Sequence, residues 1–334
     1  MTTPHKVLMS MPPTPEHIAF YADLVPPDFE LVWVEDWGGD PASIAPIIRG
    51  VEFAYVGIPP RSWLPLMPEL KLIQQMGVGY KDSDVQAAGE HGVPYAIAPE
   101  GTCVGVAEHT ILSILAVYKH LAEAHQTLKE GDWSIKSRRR YDCRLFYGKT
   151  LGIVGLGRIG QDVVRRAAGF EPGRIVYYDI LRRSPEQERS LGVEFLPLDE
   201  LLQVSDIVTL HVFLSDESRG MIGERELSLM KPSAILINTS RGEVVDEEAL
   251  YRALRDRQIW GAGIDVWTQE PTSPDNPILQ LDNVICTPHM SSGSADADRL
   301  KFEAGIGNFR RVLHGQEPIN VVRPYSEIVA QAEP

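Results

Sequence analysis

Cysteine is scarce in this chain of 334 residues: Cys103, Cys143 and Cys286 are an odd number without paired spacing. That argues against a disulfide framework and against an all-cysteine zinc site, and it fits a reducing, cytoplasmic setting. Long apolar runs are missing too, since no segment approaches the ~18 consecutive apolar residues of a membrane span. The opening Met-Thr-Thr-Pro-His-Lys, followed by Val7-Leu8-Met9, lacks the basic start and sustained apolar stretch of an export signal. The expectation is a soluble protein with no membrane partner. Positive charge is also in deficit, with 32 Lys and Arg against 46 Asp and Glu and a formal net charge of -14. A field of that sign repels phosphates, so nucleic acid is not expected as a partner, and anionic metabolites must be held by local cations. Solenoid repeats and low-complexity tracts are absent.

What remains is ordinary globular composition, 43% hydrophobic and 23% charged, with length enough for two domains sharing a cleft. Short β-branched or apolar runs alternate with helical stretches, which predicts an α/β protein with parallel sheets. Strands are expected at Lys6–Met9, Glu30–Val34, Glu52–Val56, Lys71–Gln75 and Val93–Ile97, with helices such as Pro15–Ala22 and Ser83–His91 between them. They suffice for one small doubly wound domain of flavodoxin-like type. A long helix is expected from about Val104 to about Lys129, with Ala107, Ile111, Leu115 and Tyr118 on one face. After the Arg-rich stretch Trp133–Arg144, a second strand and helix series begins at Thr150 and runs to about Pro288.

The strand Thr150–Val154 leads directly into Gly155-Leu-Gly157-Arg158-Ile159-Gly160 and then the helical pattern Gln161–Ala168. In a G-x-G-x-x-G loop between strand and helix, the first glycine permits a tight turn, the second admits a pyrophosphate, and the third lets helix and strand pack closely. The next strand, Ile175–Tyr178, ends at Asp179, where a carboxylate accepts the ribose hydroxyls of an adenosine. Together these predict a Rossmann domain that binds a nicotinamide dinucleotide, with Arg158 and Ile159 in the loop among the contacts. The charge of Asp179 favours NAD over NADP. Arg182 and Arg183 stand just beyond it; two arginines there soften that preference or belong to the solvated surface.

Working groups in a doubly wound sheet lie beyond the carboxyl ends of strands. The strand Ala234–Ile237 leads to Asn238-Thr239-Ser240-Arg241-Gly242. A guanidinium there suits a carboxylate and an adjacent carbonyl, or else caps local carbonyls. Gly261–Val266 leads to Glu270-Pro271, and Val284–Cys286 leads to Thr287-Pro288-His289. Histidine carries protons near neutral pH, and a carboxylate on its other ring nitrogen fixes the tautomer and stabilises the protonated ring. Cys286 with His289 is too sparse for a metal site, so none is expected. His109 lies early in the long helix and His211 at a strand end, each placed to orient backbone or cofactor, and Thr239 lies beside Arg241 at the cofactor side.

These segments resemble the D-isomer-specific 2-hydroxyacid dehydrogenase family, of the glyoxylate/hydroxypyruvate reductase kind. The likeness rests on Met76-Gly-Val78-Gly79-Tyr80, Val106-Ala-Glu-His109, Gly148 to Gly160, Ser240 to Leu250, Gly263-Ile-Asp265-Val266, Glu270-Pro271 and Thr287-Pro-His289. It implies a hydride exchanged between NAD(H) and C2 of a small 2-hydroxy or 2-oxo acid. Arg241 would bind and polarise the substrate, His289 act as acid and base, and Glu270 pair with His289. The amides of Val78 and Gly79 would hold the substrate carboxylate, and Asp265 would meet the nicotinamide carboxamide. The resemblance further implies a substrate-binding domain from residues 1–102 with 295–334, an NAD-binding domain at 103–294, and a homodimer formed by the long helix and the segment Trp133–Tyr141. With so short a stretch after Val322, the regulatory domain of longer phosphoglycerate-oxidising relatives is not expected.

The chain departs from the family pattern at Met290-Ser-Ser-Gly293, at Pro59-Pro60-Arg61, at Phe213 and at Thr268, so substrate preference is where it is expected to differ. Arg138-Arg139-Arg140 reads as a solvated dimer arm or as an attractor of anionic substrate. Two other functions share the same fold: oxidation of formate or phosphite, and an NAD-sensing dimer that works by binding partners. NADH formed from those anions would mark the first, and partner capture surviving His289→Ala the second.

Overall fold

The computed structural model describes residues 3–37 and 40–323. It divides into two compact units, one drawn from Met1–Thr102 and Gly293–Pro334 and the other Cys103–Ser292. The part of segment 295–334 beyond Arg323 lies outside the described residues.

The first unit holds β1 (His5–Met9), β2 (Phe29–Trp33), β3 (Val51–Val56), β4 (Leu72–Gln75) and β5 (Tyr95–Ile97). They form one parallel sheet in the order β2-β1-β3-β4-β5, the flavodoxin-like arrangement. Alternation along each strand sends side chains to opposite faces, and helices cover both. Leu8, Val32, Ala54 and Ile73 meet Ile44, Ile48, Val85 and Ala88 on one face. Val7, Met9, Phe53 and Tyr55 meet Tyr21, Phe302, Ile306 and Phe309 on the other. The last three come from the helix Ala295–Leu313, which ties the C-terminal segment to this sheet. A helix at Pro41–Ile48 gives no helical signal in the sequence because of Pro46. It forms on a proline at its first position and on the Asp40 carboxylate, which accepts from the Ala42 amide.

The second unit contributes β6 (Thr150–Val154), β7 (Arg174–Tyr178), β8 (Glu194–Phe195), β9 (Ile207–Leu210), β10 (Ile235–Asn238), β11 (Gly261–Ile264) and β12 (Val284–Cys286). Their order is β12-β11-β10-β9-β6-β7-β8, all parallel. Counted from β6, this is the Rossmann order, extended by one strand, with its switch point between β6 and β9. Leu151, Ile153, Ile207 and Ile237 face the helices Thr102–Tyr118 and Arg158–Ala167. Val154, Val208, Leu210 and Leu236 face Leu201, Leu227 and Leu250.

The expected single helix over 104–129 is two helices, Thr102–Tyr118 and Leu121–Lys129. Between them His120 adopts a left-handed conformation, φ 48° and ψ 43°. The Tyr118 carbonyl, which a continuous helix would bond to a later amide, accepts instead from the Arg144 amide at 2.9 Å. The His120 ring packs edge-on against Trp260 with centroids 5.1 Å apart. Distant residues thus hold the break.

In the first unit the Phe309 ring stacks on Phe53 at 4.4 Å and is fully buried. Phe309→Ala is expected to cost about 3–5 kcal/mol in the unfolding transition of that unit, measured by urea denaturation. A loss near zero would mean that the C-terminal helix adds nothing to this core.

Candidate active site

At the end of β6 the three glycines meet three different demands. Gly155 has φ +94°, and a Cβ there would lie 2.6 Å from the His211 carbonyl oxygen. Gly160 leaves no room either, since a Cβ would lie 2.3 Å from the Gly155 oxygen. A Cβ on Gly157, by contrast, meets nothing within 4 Å, and no side chain caps the helix Arg158–Ala167 that starts there. Open space in front of first-turn amides suits a pyrophosphate, so the loop fits a dinucleotide. Arg158 and Ile159 lie in that first turn, with Ile159 packed partly on the core.

Asp179 follows β7 and is bound to the loop: its Oδ2 accepts from the Leu156 amide at 2.8 Å and its Oδ1 from the Leu181 amide at 3.0 Å. Arg182 and Arg183 do not simply face solvent. Arg182 pairs with Glu188 at 3.0 Å and lies over the Phe195 ring, while Arg183 folds back to the Leu156 carbonyl at 2.7 Å. These partners are nonlocal, so a dipeptide of arginines cannot announce them.

His211 follows β9 at the switch point. Its Nε2 lies 3.0 Å from Thr209 Oγ1, and its Nδ1 is sealed from solvent with no partner among the described residues, although the residue keeps some accessible surface. Burial pushes its pKa down to about 3, so the ring is neutral at working pH.

The ends of β10, β11 and β12 are neighbours, and they bring together the polar groups singled out in the sequence. Asn238 shapes the first, donating from Nδ2 to the Arg241 carbonyl at 2.9 Å and accepting from the Ser240 amide and hydroxyl. The Thr239 hydroxyl is buried 3.3 Å from that of Thr110. Arg241 Nη1 donates to the Ser240 carbonyl at 2.6 Å, and its guanidinium has no carboxylate partner among the described residues. The next residue, Gly242, packs backbone to backbone on the loop after β11: a Cβ there would lie 2.0 Å from the Trp267 carbonyl carbon.

That loop carries Glu270. Its Oε1 accepts from the Trp267 amide at 3.1 Å and its Oε2 lies 2.7 Å from His289 Nδ1. His289 has a left-handed φ of 50°, uncommon outside glycine. The turn that bears it is held by Asp265, whose carbonyl accepts the His289 amide at 2.7 Å. The Asp265 side chain, only 1% exposed, accepts from the Thr287 hydroxyl at 2.6 Å, the Met290 amide at 3.0 Å and the Ser291 amide at 2.9 Å. Burial alone would raise its pKa, but these donors outweigh it and hold the carboxyl below the usual carboxylate range. His109 completes the cluster with Nε2 at 3.1 Å from the Thr287 hydroxyl. Thr287 stands in a motif quoted from the sequence, but its role as a donor, like those of the Ser291 and Trp267 amides, depends on the fold of two separate loops and could not be read there.

Along the crest of this sheet stand His289, Glu270 with Asp265, Arg241, His211, the glycine loop and Asp179, each after the carboxyl end of its strand. Val78 and Gly79 belong to the other unit, in the loop between β4 and the helix Asp82–Glu90. There the Gly79 carbonyl accepts from Gln75 Nε2 at 3.0 Å. Among the described residues no group of three His, Cys, Asp or Glu is arranged to hold a metal ion, and no helix is long and apolar enough to cross a membrane.

The family model for the NAD-binding domain of D-isomer specific 2-hydroxyacid dehydrogenases matches residues 111–291. A glyoxylate reductase of Korarchaeum cryptofilum is 43% identical over 259 residues, 76% of each chain. Among solved structures, a Thermus thermophilus protein at 31% identity covers 95% of this chain and 99% of its own, with a TM-score of 0.79. The NADPH-dependent glyoxylate/hydroxypyruvate reductase of Sinorhizobium meliloti, in complex with NADP and malonate, is 28% identical, with a TM-score of 0.78 over 96% of this chain and 97% of its own. The chain belongs to the D-isomer specific 2-hydroxyacid dehydrogenase family, NAD-dependent oxidoreductases that interconvert 2-hydroxy and 2-oxo acids.

Proposed function

We propose that this enzyme reduces a small 2-oxo acid of the glyoxylate type, with Arg241, Glu270 and His289 as its catalytic residues. The observation that carries this is the 2.7 Å contact of His289 Nδ1 with Glu270, on the strand end next to an arginine that has no carboxylate partner among the described residues. The reduced nicotinamide supplies the hydride for C2. Arg241 takes a substrate carboxylate oxygen and draws electron density from the C2 carbonyl, and its charge persists at every working pH. With Nδ1 committed to Glu270, His289 delivers the proton to the forming alkoxide from Nε2. Glu270 holds that tautomer and offsets the positive ring. Asp265 keeps the turn of His289 in place, and the amides of Val78 and Gly79 are assigned the substrate carboxylate. The glycine loop with Arg158 and Ile159, together with Asp179, His211 and Thr239, holds the coenzyme. Segment 103–294 is accordingly the coenzyme domain, and 1–102 with 295–334 the substrate domain.

The same reading makes the protein a cytoplasmic homodimer. Trp133, Tyr141, Leu145 and Tyr147 are 70%, 90%, 60% and 65% exposed, and Leu121 and Leu128 on the adjoining helix are about half exposed. Apolar side chains gathered in this way support burial against a second copy. Arg138 pairs with Asp132, and Arg139 with Glu123, Asp142 and Asp282, which favours the structural role of this arm over capture of substrate.

NADH oxidation is expected with glyoxylate and hydroxypyruvate; absence of turnover across a panel of 2-oxo acids would sink the proposal. His289→Ala should lose about 10²- to 10⁴-fold in kcat. Arg241→Ala should lose about 1.5–3 kcal/mol of transition-state stabilisation, read from kcat/KM.

His211 is expected to act on stability and not on the pH profile of turnover. Its folded pKa of about 3 lies below the ordinary value, so the unfolded chain binds the extra proton between roughly pH 6.5 and 3. Stability should therefore fall on acidification through that window, by up to about 1.4 kcal/mol per pH unit from this group. His211→Asn should flatten the slope in urea titrations; an unchanged slope would show that His211 does not titrate in this way.

A further inference from the structure

We propose that Arg183 is a second reader of the adenosine ribose, a cation kept in check by Asp179, so that the choice between NAD and NADP is set by the balance of these two side chains. The inference rests on the assignment of Asp179 to the ribose.

The two consecutive arginines have separate fates. Arg182 is engaged away from the loop, with Nε and Nη2 on the Glu188 carboxylate at 3.0 and 3.4 Å and its guanidinium 4.9 Å from the Phe195 ring centroid. Arg183 is turned the other way. Its own amide donates to the Tyr177 hydroxyl at 2.8 Å, and that hydroxyl donates to Glu188 at 2.9 Å, which fixes the backbone of the turn. From there the side chain reaches back to the glycine loop, where Nη2 donates to the Leu156 carbonyl.

Leu156 is thus gripped on both sides, its amide by Asp179 and its carbonyl by Arg183. The carboxylate and the guanidinium consequently occupy one corner, with Nη2 3.8 Å from Asp179 Oδ2. That separation is too long for a hydrogen bond, so the pair is a loose one. Arg183 Nε is buried and has no hydrogen-bond partner among the described residues, an arrangement that costs free energy unless a ligand completes it. The side chain keeps 25% of its surface in contact with solvent, enough for an incoming group to reach it.

A 2′-phosphate brings a charge of about −1.5 to −2 and several strong acceptor oxygens. Asp179 repels it, whereas the planar fork of Arg183 matches it. With Asp179 in place, the repulsion and the competition for the guanidinium favour the unphosphorylated ribose. Without that carboxylate, Arg183 is a positioned phosphate donor.

The test is equilibrium binding by calorimetry of AMP and of adenosine 2′,5′-bisphosphate, with NADH and NADPH kinetics beside it. Wild-type protein is expected to prefer AMP. Asp179→Ser should shift the ratio toward the bisphosphate by about 100-fold, and Arg183→Gln added to it should remove about 10-fold or more of that gain, the range for charged hydrogen bonds. Asp179→Ser with Arg183→Lys, which retains the charge, should keep more of the gain than the glutamine variant, and AMP binding by both double variants shows that the loop is folded. Two results overturn the proposal and are distinguishable. If Asp179→Ser leaves the ratio unchanged, the ribose assignment fails; if it shifts the ratio and Arg183→Gln takes nothing away, the assignment stands and Arg183 is not the reader.

Discussion

The close approach at Gly242 governs how the strand ends that carry Arg241, Glu270 and His289 come together. A single methyl-sized atom at that position would lie 2.0 Å from the Trp267 carbonyl carbon and 2.2 Å from its oxygen. Only glycine lets the turn after β10 touch the loop after β11, and that contact sets Arg241 beside the loop that carries Glu270. From Glu270 the connection continues to His289 at the end of β12. The three strands lie side by side in the sheet, so residues far apart in sequence become neighbours through backbone pairing before any side chain is considered.

Asp265 extends this constraint. Its side chain and carbonyl together accept from Thr287, His289, Met290 and Ser291, so one buried residue specifies the turn that holds His289 in a left-handed conformation. The strain of that backbone is stabilised by hydrogen bonds rather than by glycine. Family resemblance assigns Asp265 to the nicotinamide. Its carboxylate is already occupied within its own unit, and this makes its support of His289 the better-grounded role.

At the other end of the crest, two opposite charges share the glycine loop. Asp179 and Arg183 both hold Leu156, and His211 stands neutral behind Gly155. The neutral ring adds no charge beside the glycine loop, whereas His289 is exposed and lies 2.7 Å from the Glu270 carboxylate. Two histidines on one sheet thus differ in setting: the Nδ1 of His211 is sealed from solvent, and His289 is exposed and paired with a carboxylate.

Sequence alone determined the elements whose causes are local. The glycine loop was legible because its turn, its open face and its tight packing are each demands on one residue, and the alternation of strands and helices follows from periodicities of 2 and 3.6. The order of Arg241, Glu270 and His289 along the chain also pointed to one site. Tertiary structure decided the remainder. The break at His120 depends on Arg144 and Trp260, the turn of Arg183 on a carbonyl in another loop, and the clamp of Asp265 on donors more than twenty residues away. None of these partners lies within the reach of a helical or strand repeat, so no local pattern encodes them. They exist only because parallel pairing brings distant strand ends to one edge of a sheet.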